Sequence, residues 1–380
     1  MRYAYAVFGA GVGKVIADYL CRVKSTCDVV LLDADFEKAK RACGMINKRK
    51  PHVHCRAIQC DSERVSRSFL AKFDAIISAL PAKFNHALAY KAIDAGVNFC
   101  DLGGVVSVTE RMIGELNEKA EKNCISVVPD CGIMPGLGIM LARTFVEVLD
   151  GVDTVCVYVG GIPQKPRPPL FYQKVFNIEG VESICYDSAT VLKNGRIVEK
   201  KPFSDLENFK IKELSGFSPD GCGSVEAFIT AGASVAYNTF YNLGVSNFCE
   251  KTVRWPGFVE FVSTIPRCEF VKKVSDVINM PTDGDNPDLL WMKVLVSGIK
   301  NREAINITAT LLDFYDESTE LTAMERCTGF PTGLIAKYLA RHDAECGVKT
   351  PENAFQVYQL RQMREELKKY FNIKIAIEAA

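Results

Sequence analysis

Apolar runs and amphipathic stretches alternate through the first third of the chain. Tyr3 to Phe8 is an apolar run that ends in Gly9-Ala-Gly-Val-Gly13. An amphipathic stretch from Val15 to Val23 follows, and Val29-Val-Leu-Leu-Asp33 is a second apolar run ending in an acid. That order predicts strand, tight turn, helix, strand. Cys55 to Cys60 predicts a short strand before Asp61, and Ala75-Ile-Ile-Ser-Ala-Leu-Pro81 a buried strand stopped by its proline. His86 to Ala95 reads as a helix closed by Gly96. Val97 to Asp101 and Cys124 to Asp130 are further strands, leading into Asp101-Leu-Gly-Gly104 and Pro129-Asp-Cys-Gly-Ile-Met-Pro-Gly136. Strands separated by helices predict a parallel sheet of the Rossmann type, with ligands beyond the carboxyl ends of its strands.

The pattern changes after Leu149. Val152 to Gly160 alternates like a strand buried on one face, and it runs into Gly161-Ile-Pro-Gln-Lys-Pro-Arg-Pro-Pro169, whose four prolines predict an extended surface loop. A helix is expected at Ile178 to Tyr186 and a hairpin at Lys193-Asn-Gly195. Strands are expected at Thr252 to Trp255, Leu289 to Gly298 and Ala304 to Asp313. Hairpin-linked strands with few helices predict a mainly antiparallel α+β domain. Gly329 to His342 and Glu352 to Lys369 return to helix and are expected to dock on the first domain. The expected division is 1-132 with 320-380 as the dinucleotide-binding domain, and 133-319 as the substrate-binding and oligomerisation domain.

The glycine turn carries the first candidate chemistry. Gly9 and Gly11 permit a tight turn that lets backbone N–H groups approach a pyrophosphate at a helix N-terminus. Gly13 comes one residue earlier than the G-x-G-x-x-G pattern places its third glycine. Asp33 lies 24 positions after Gly9, close to the roughly 20-residue spacing of an acid that binds the adenosine ribose hydroxyls. A carboxylate there repels a 2′-phosphate, so NAD is expected in preference to NADP, with Lys38, Lys40 and Arg41 just downstream. The expected cofactor contacts are Gly9, Gly11, Val12, Gly13, Asp33, Asp61, Ala79, Leu80, Pro81, Asp101 and Gly103. Asp101 and Asp130, at neighbouring strand ends, read equally as turn-fixing residues and as site residues.

Composition narrows the partners. The 380 residues carry 46 basic and 46 acidic side chains, which gives no field to attract nucleic acid or an anionic membrane. Fifteen cysteines occur with no C-x-x-C pair, and they read as buried small hydrophobes in a reducing cytosol. His52, His54, His86 and His342 are too dispersed for a zinc site, so no metal is expected. With no signal peptide and no run of eighteen apolar residues, a cytoplasmic protein with a small-molecule substrate is expected.

Several motifs resemble one family. Asp101-Leu-Gly-Gly, Pro129-Asp-x-Gly-x-x-Pro-Gly136, Tyr158-Val-Gly-Gly-Ile-Pro163 with Pro168-Pro-Leu-x-Tyr172, Glu226-Ala-Phe-x-Thr230-x-Gly232, Arg254-Trp-Pro-Gly257 and Arg326-x-Thr328-Gly329 together resemble the saccharopine dehydrogenase-like oxidoreductases. Within them the likeness is greatest to lysine 6-dehydrogenase. It implies NAD-linked oxidative deamination of the lysine side-chain amine to a semialdehyde that cyclises, and a homodimer or homotetramer built through the α+β domain. Ile229 and Phe258 stand where some members carry histidine. A carboxylate-bearing substrate calls for an arginine, with Arg254 first, then Arg326, and Thr328 beside it. Glu226, placed at a loop-to-helix entry, Asp130 and Tyr172 are the acid–base candidates. A saccharopine- or carboxyspermidine-type reductase joining an aldehyde and an amine, and a non-catalytic NAD-binding protein of the same fold, are the alternatives.

Overall fold

The computed structural model describes residues 1–176, 178–278 and 286–380. In chain order the first elements are β1 (Tyr3–Phe8), α1 (Gly13–Arg22), β2 (Thr26–Asp33), α2 (Phe36–Lys48), β3 (Cys55–Gln59), α3 (Arg67–Leu70), β4 (Ala75–Ser78), α4 (Asn85–Ala95), β5 (Asn98–Asp101), α5 (Val106–Lys122), β6 (Ser126–Val128) and α6 (Leu137–Val146). The middle holds β7 (Gly151–Pro163), α7 (Ile178–Tyr186), β8 (Ala189–Lys193), β9 (Arg196–Lys200), β10 (Glu207–Lys210), β11 (Ser224–Ile229), α8 (Ala236–Asn242), β12 (Asn247–Arg254), α9 (Phe258–Ser263), α10 (Arg267–Ile278), β13 (Asp288–Lys300) and β14 (Glu303–Phe314). The chain closes with α11 (Ala323–Leu339), β15 (Gly347–Val348), α12 (Pro351–Ala354), α13 (Val357–Leu367) and β16 (Ile373–Ala379).

Two compact units result. The first comprises Met1–Met140 with Glu325–Leu367, the second Leu141–Met324 with Lys368–Ala380. The first unit is a seven-stranded parallel sheet in the order β15-β6-β5-β4-β1-β2-β3. Its inner strands β4, β5 and β6 are buried along their whole length, while the edge strand β3 is only partly buried. Phe8, Leu32, Ile76 and Phe99 share a core with Leu88, Ile93, Met112 and Leu116 from α4 and α5. Gly96, in a left-handed conformation, ends α4. Helix α11 packs closely on α1 through small residues: a Cβ on Gly329 would lie 2.7 Å from Val15, and one on Gly333 would lie 2.7 Å from Tyr19.

The second unit is a nine-stranded sheet, order β10-β11-β12-β7-β13-β14-β16, with β8 and β9 as a hairpin beside β12. It is antiparallel except where β12 runs parallel to β7. Asn194 and Gly195, both at positive φ, turn the β8–β9 hairpin. Helices α7, α9 and α10 bury Val181, Cys185, Phe258, Val262, Phe270 and Val274 together with Phe228 from β11.

Several expectations need correction. Residues 368–380, assigned to the first domain, lie in the second unit, because β16 pairs with β14 along its length. Its sequence alternates weakly and ends exposed, so it lacks the apolar run that marks the buried strands. The helix expected over Glu352 to Lys369 is broken at Phe355 and Gln356 into α12 and α13. Glu226 is not at a loop-to-helix entry; it sits inside β11, between β10 and β12. The first proline of the extended loop, Pro163, is the last residue of β7.

The Gly-Gly pair in β7 has a steric cause. A Cβ on Gly160 would stand 2.5 Å from the Val253 carbonyl oxygen on β12 and 2.9 Å from the Val253 Cβ. Gly160→Ala is therefore expected to destabilise the fold by about 1–3 kcal/mol, the usual cost of overpacking. Urea unfolding followed by circular dichroism measures it.

Candidate functional site

The glycine turn is built from the carboxyl ends of β1, β2 and β4. Gly9 has φ +91°, its N–H donates to the Leu32 carbonyl at 2.7 Å, and a Cβ there would come within 2.6 Å of the Ala79 carbonyl oxygen. Gly13 packs on Val7 and Ala79, where a Cβ would be held at 3.1 and 3.3 Å. Gly11 has neither reason to be glycine: its φ is ordinary, and nothing lies within 4 Å of where its Cβ would be. Its backbone is left bare at the start of α1. The N-cap residue Val12 offers no side-chain acceptor; Lys14 and Val15 donate their N–H groups to the Gly11 and Val12 carbonyls at 3.2 and 2.9 Å, while Gly11, Val12 and Gly13 donate to no backbone group among the described residues. These residues fit a dinucleotide pyrophosphate.

Asp33 does two things at the end of β2. Its Oδ2 accepts the Ala10 N–H at 2.7 Å and its Oδ1 the Asp35 N–H at 3.0 Å, so the carboxylate braces the turn. Lys38 Nζ lies 3.9 Å from Oδ2. Ala79 donates its N–H to the Phe8 carbonyl at 2.7 Å, and Leu80 and the exposed Pro81 continue from it. Asp61 is exposed in the turn after β3, with Arg64 Nε 3.5 Å away.

Asp101 and Asp130 meet at the ends of β5 and β6. Asp101 is fully buried; its Oδ1 accepts the Gly103 N–H at 2.7 Å and the Asp130 N–H at 3.2 Å, while its Oδ2 has no hydrogen-bond partner among the described residues. Burial first, and then the neighbouring Asp130 charge, push its pKa up to about 7. Asp130 is buried at φ +65°, and its Oδ1 accepts the Thr109 hydroxyl at 3.1 Å. Gly103 is fixed twice over, by φ +68° and because any Cβ would collide with the Asp130 carboxylate. Thr328 approaches the same loop: its Cγ2 is 3.4 Å from the place of a Cβ on Gly132. Arg326 stacks its guanidinium 5.7 Å from the Phe330 ring centre.

The second unit holds a different cluster. Arg254, the last residue of β12, is 2% exposed, and its guanidinium carbon lies 4.5 Å from the Tyr172 ring centre and 5.4 Å from that of Phe258. Nη1 donates to the Val253 carbonyl at 2.8 Å, Nε has no hydrogen-bond partner, and no carboxylate forms an ion pair with it among the described residues. Its cross-strand neighbour Glu226 is buried and feels the Arg254 charge, but forms no ion pair with it. Glu226 accepts the Val259 N–H at 2.6 Å and the Gly257 N–H at 3.3 Å, and so caps the N-terminus of α9. Burial raises the Glu226 pKa, and those backbone bonds oppose the rise. Tyr172 is buried, edge-on to Phe258 at 5.6 Å, with its phenol pushed up to about 12 by burial. The structure thus gathers Arg254, Tyr172 and Glu226 in one unit and the glycine turn, Asp33, Asp101, Asp130 and Thr328 in the other.

Sequence reasoning missed Glu250. It is buried on the face of β12 that carries Thr252 and Arg254, accepts hydroxyls from Thr230 and Thr252, and has its pKa raised to about 7 by burial. The period-2 pattern Glu250, Thr252, Arg254 signals it once the strand is extended back to Asn247. Among the described residues no group of three or more histidine, cysteine or acidic side chains is placed to hold a metal ion, and no helix is long and apolar enough to cross a membrane.

A parallel nucleotide-binding sheet bearing this turn, with a mixed sheet-and-helix unit, defines a two-domain oxidoreductase fold. Residues 6–128 match the family described as the saccharopine dehydrogenase NADP binding domain, and residues 132–373 match the saccharopine dehydrogenase C-terminal domain. The chain belongs to the saccharopine dehydrogenase family. It is 23% identical over 271 residues to saccharopine dehydrogenase [NADP(+), L-glutamate-forming] of Schizosaccharomyces pombe, covering 68% of this chain and 58% of that protein. It is 23% identical over 257 residues to the α-aminoadipic semialdehyde synthase of Arabidopsis thaliana, covering 65% of this chain and 23% of that one. The chain thus spans less than two thirds of the length of these relatives. Apo saccharopine dehydrogenase (L-Glu forming) from Saccharomyces cerevisiae shares the fold, with TM-score 0.77 over 100% of both chains at 15% identity.

The Asp101 geometry has a consequence for stability. A carboxyl whose pKa rises on folding, here from 3.8 to about 7, favours the folded state at low pH; that contribution is lost as pH climbs through this window. Asp101→Asn, which keeps an uncharged polar group there, is expected to flatten the fall in stability between pH 5 and 8. Urea midpoints at the two pH values measure the difference.

Proposed function

We propose that the chain is a nicotinamide-dinucleotide-dependent oxidoreductase acting at the C–N bond of a substrate that carries a carboxylate, with the side-chain amine of lysine as the first candidate. The observation that carries this reading is Arg254: a buried guanidinium with an unused Nε and no ion pair among the described residues. A buried charge without a partner costs several kcal/mol, and a planar carboxylate is the ligand that best relieves it. The guanidinium lies against both the Tyr172 and the Phe258 rings, which meet edge to face beside it. In this reading Tyr172 orients Arg254, and Glu226 fixes α9 and therefore Phe258.

In the first unit the bare N–H groups of Gly11, Val12 and Gly13 receive the pyrophosphate, and Asp33 receives the adenosine ribose. When bound, the nicotinamide ring supplies a two-electron hydride acceptor. Hydride leaves a carbon bearing nitrogen only when that nitrogen is neutral, so a group able to take a proton near pH 7 is required. Asp101, whose pKa burial and the neighbouring Asp130 charge push up to about 7, is our candidate. Asp33 favours NAD, since its carboxylate repels a 2′-phosphate; Lys38 at 3.9 Å is the cation that tempers this.

A second reading is favoured by the relatives, two of which are named for saccharopine and aminoadipic semialdehyde chemistry. The same site would then join or part an aldehyde and an amino acid through a secondary amine. Absorbance at the nicotinamide band separates the two. Reduced cofactor formed from lysine alone supports deamination; consumption that requires aldehyde and amine together supports condensation; no turnover with any amine or amino acid in a panel rejects both.

Asp33→Asn keeps an acceptor for the Ala10 N–H and removes the charge. It is expected to shift the NADP-to-NAD affinity ratio about tenfold toward NADP, the equivalent of about 1.4 kcal/mol. Isothermal titration reads the ratio, and an unchanged ratio rejects the ribose role. Arg254→Ala is expected to raise KM for a carboxylate-bearing substrate by roughly 10- to 100-fold, the loss of a charged hydrogen bond of about 1.5–3 kcal/mol. A normal KM removes Arg254 from the site.

A further inference from the structure

Several pairs of cysteines come together among the described residues although no two share a short motif. The pair on β7 and β12 differs from the others in setting. Cys156 and Cys249 are register partners on adjacent parallel strands, with their sulfurs 3.1 Å apart. Sheet neighbours stand about 4.8 Å apart, inside the Cα range of roughly 4.4–6.8 Å that a disulfide accepts. Cys156 is buried, whereas Cys249 is half-buried and so within reach of a small reagent. Two residues along, on the same face of each strand, stand Tyr158 and Lys251. Lys251 Nζ is tied to Glu207 at 3.1 Å and to the Asp205 carbonyl at 2.8 Å.

We propose that Cys156 and Cys249 are a redox-active dithiol that closes to an intrachain disulfide when the protein meets hydrogen peroxide. The two thiols are not equivalent. The bond with Cys156 and, less strongly, the Lys251 cation lower the Cys249 pKa, while sharing with Cys249 and then burial push that of Cys156 well up. Cys249 therefore supplies the thiolate. Its sulfur attacks one peroxide oxygen, the O–O bond breaks, and hydroxide leaves, giving a sulfenic acid on Cys249. The Cys156 thiol then attacks that sulfur, the S–O bond breaks, and the departing hydroxide takes the Cys156 proton as water. Two thiols are oxidised by one peroxide, which is reduced to water.

The other pairs lack one element each. Cys43 and Cys55 are also 3.1 Å apart, but both are buried. Cys100 and Cys131 are both buried, and the Cys346 pKa is raised, by burial first, despite the nearby Lys349, with Cys124 beside it exposed. The disulfide would lock β12 to β7 five residues before Arg254.

The experiment treats the folded, reduced full chain with hydrogen peroxide, blocks the remaining thiols, and maps peptides without reduction. The expected result is a fall from fifteen to thirteen blockable thiols, one linked peptide pair containing Cys156 and Cys249, and full reversal by dithiothreitol. Cys156→Ser is expected to stop at a sulfenic acid on Cys249 that dimedone traps; Cys43→Ser is expected to leave the 156–249 link intact. A first link at 43–55 or 124–346, or a 156–249 link that forms only in denaturant, overturns the proposal. Mapping the unaltered chain decides the matter even if a variant fails to fold.

Discussion

The first unit depends on one close approach of backbone to backbone. The turn after β1 runs so near the end of β4 that any side chain on Gly9 would meet the Ala79 carbonyl. Three hydrogen bonds hold it there: Gly9 to Leu32, Ala10 to Asp33, and Ala79 to Phe8. The ends of β1, β2 and β4 are thereby tied together, and α1 starts from Gly13 packed on Val7 and Ala79. Loosening any of these bonds would blur the position of every donor that follows.

The second unit rests on a different tension. It buries two acids and two bases along β11 and β12: Glu226 is satisfied by backbone N–H groups, Glu250 by two hydroxyls, Lys251 by Glu207 and the Asp205 carbonyl, and Arg254 by little except the Val253 carbonyl and aromatic faces. Buried polar groups that are fully paired stabilise a fold, while those left short of partners mark places kept for something else. Arg254 is of the second kind. Asp101 and Asp18 differ in kind: each has one carboxylate oxygen without a hydrogen-bond partner among the described residues, but Asp18 is paired with Arg22 and Arg49 through Oδ2, whereas Asp101 accepts only backbone N–H groups.

Much of this was legible in the sequence, for reasons that can be named. The first sheet announces itself because parallel strands buried on both faces are unbroken apolar runs, and α7 and the Asn194-Gly195 hairpin fall where pattern and turn chemistry place them. Glu226 was misplaced because the glycines and serine before it look like a loop; the strand is fixed by pairing on both sides, which no local pattern reveals. β16 escaped for a similar reason, since an exposed edge strand owes its conformation to its neighbour rather than to its own residues. The pairing of Arg254 with Glu226 and the meeting of Cys156 with Cys249 both arise from register between distant strands.

That distance governs how the second sheet assembles. Among the described residues its only parallel pairing joins β7 to β12, where facing residues are 93 positions apart in sequence. The β8–β9 and β13–β14 hairpins can form locally in microseconds, but the strand between β12 and β13 gains both neighbours only after a long loop has closed. Closing such loops before any reward is collected is what slows β-rich topologies. The second unit is therefore the slow partner in folding, and a nascent chain carries the apolar residues of β7 unprotected until β12 and the β13–β14 hairpin have followed it.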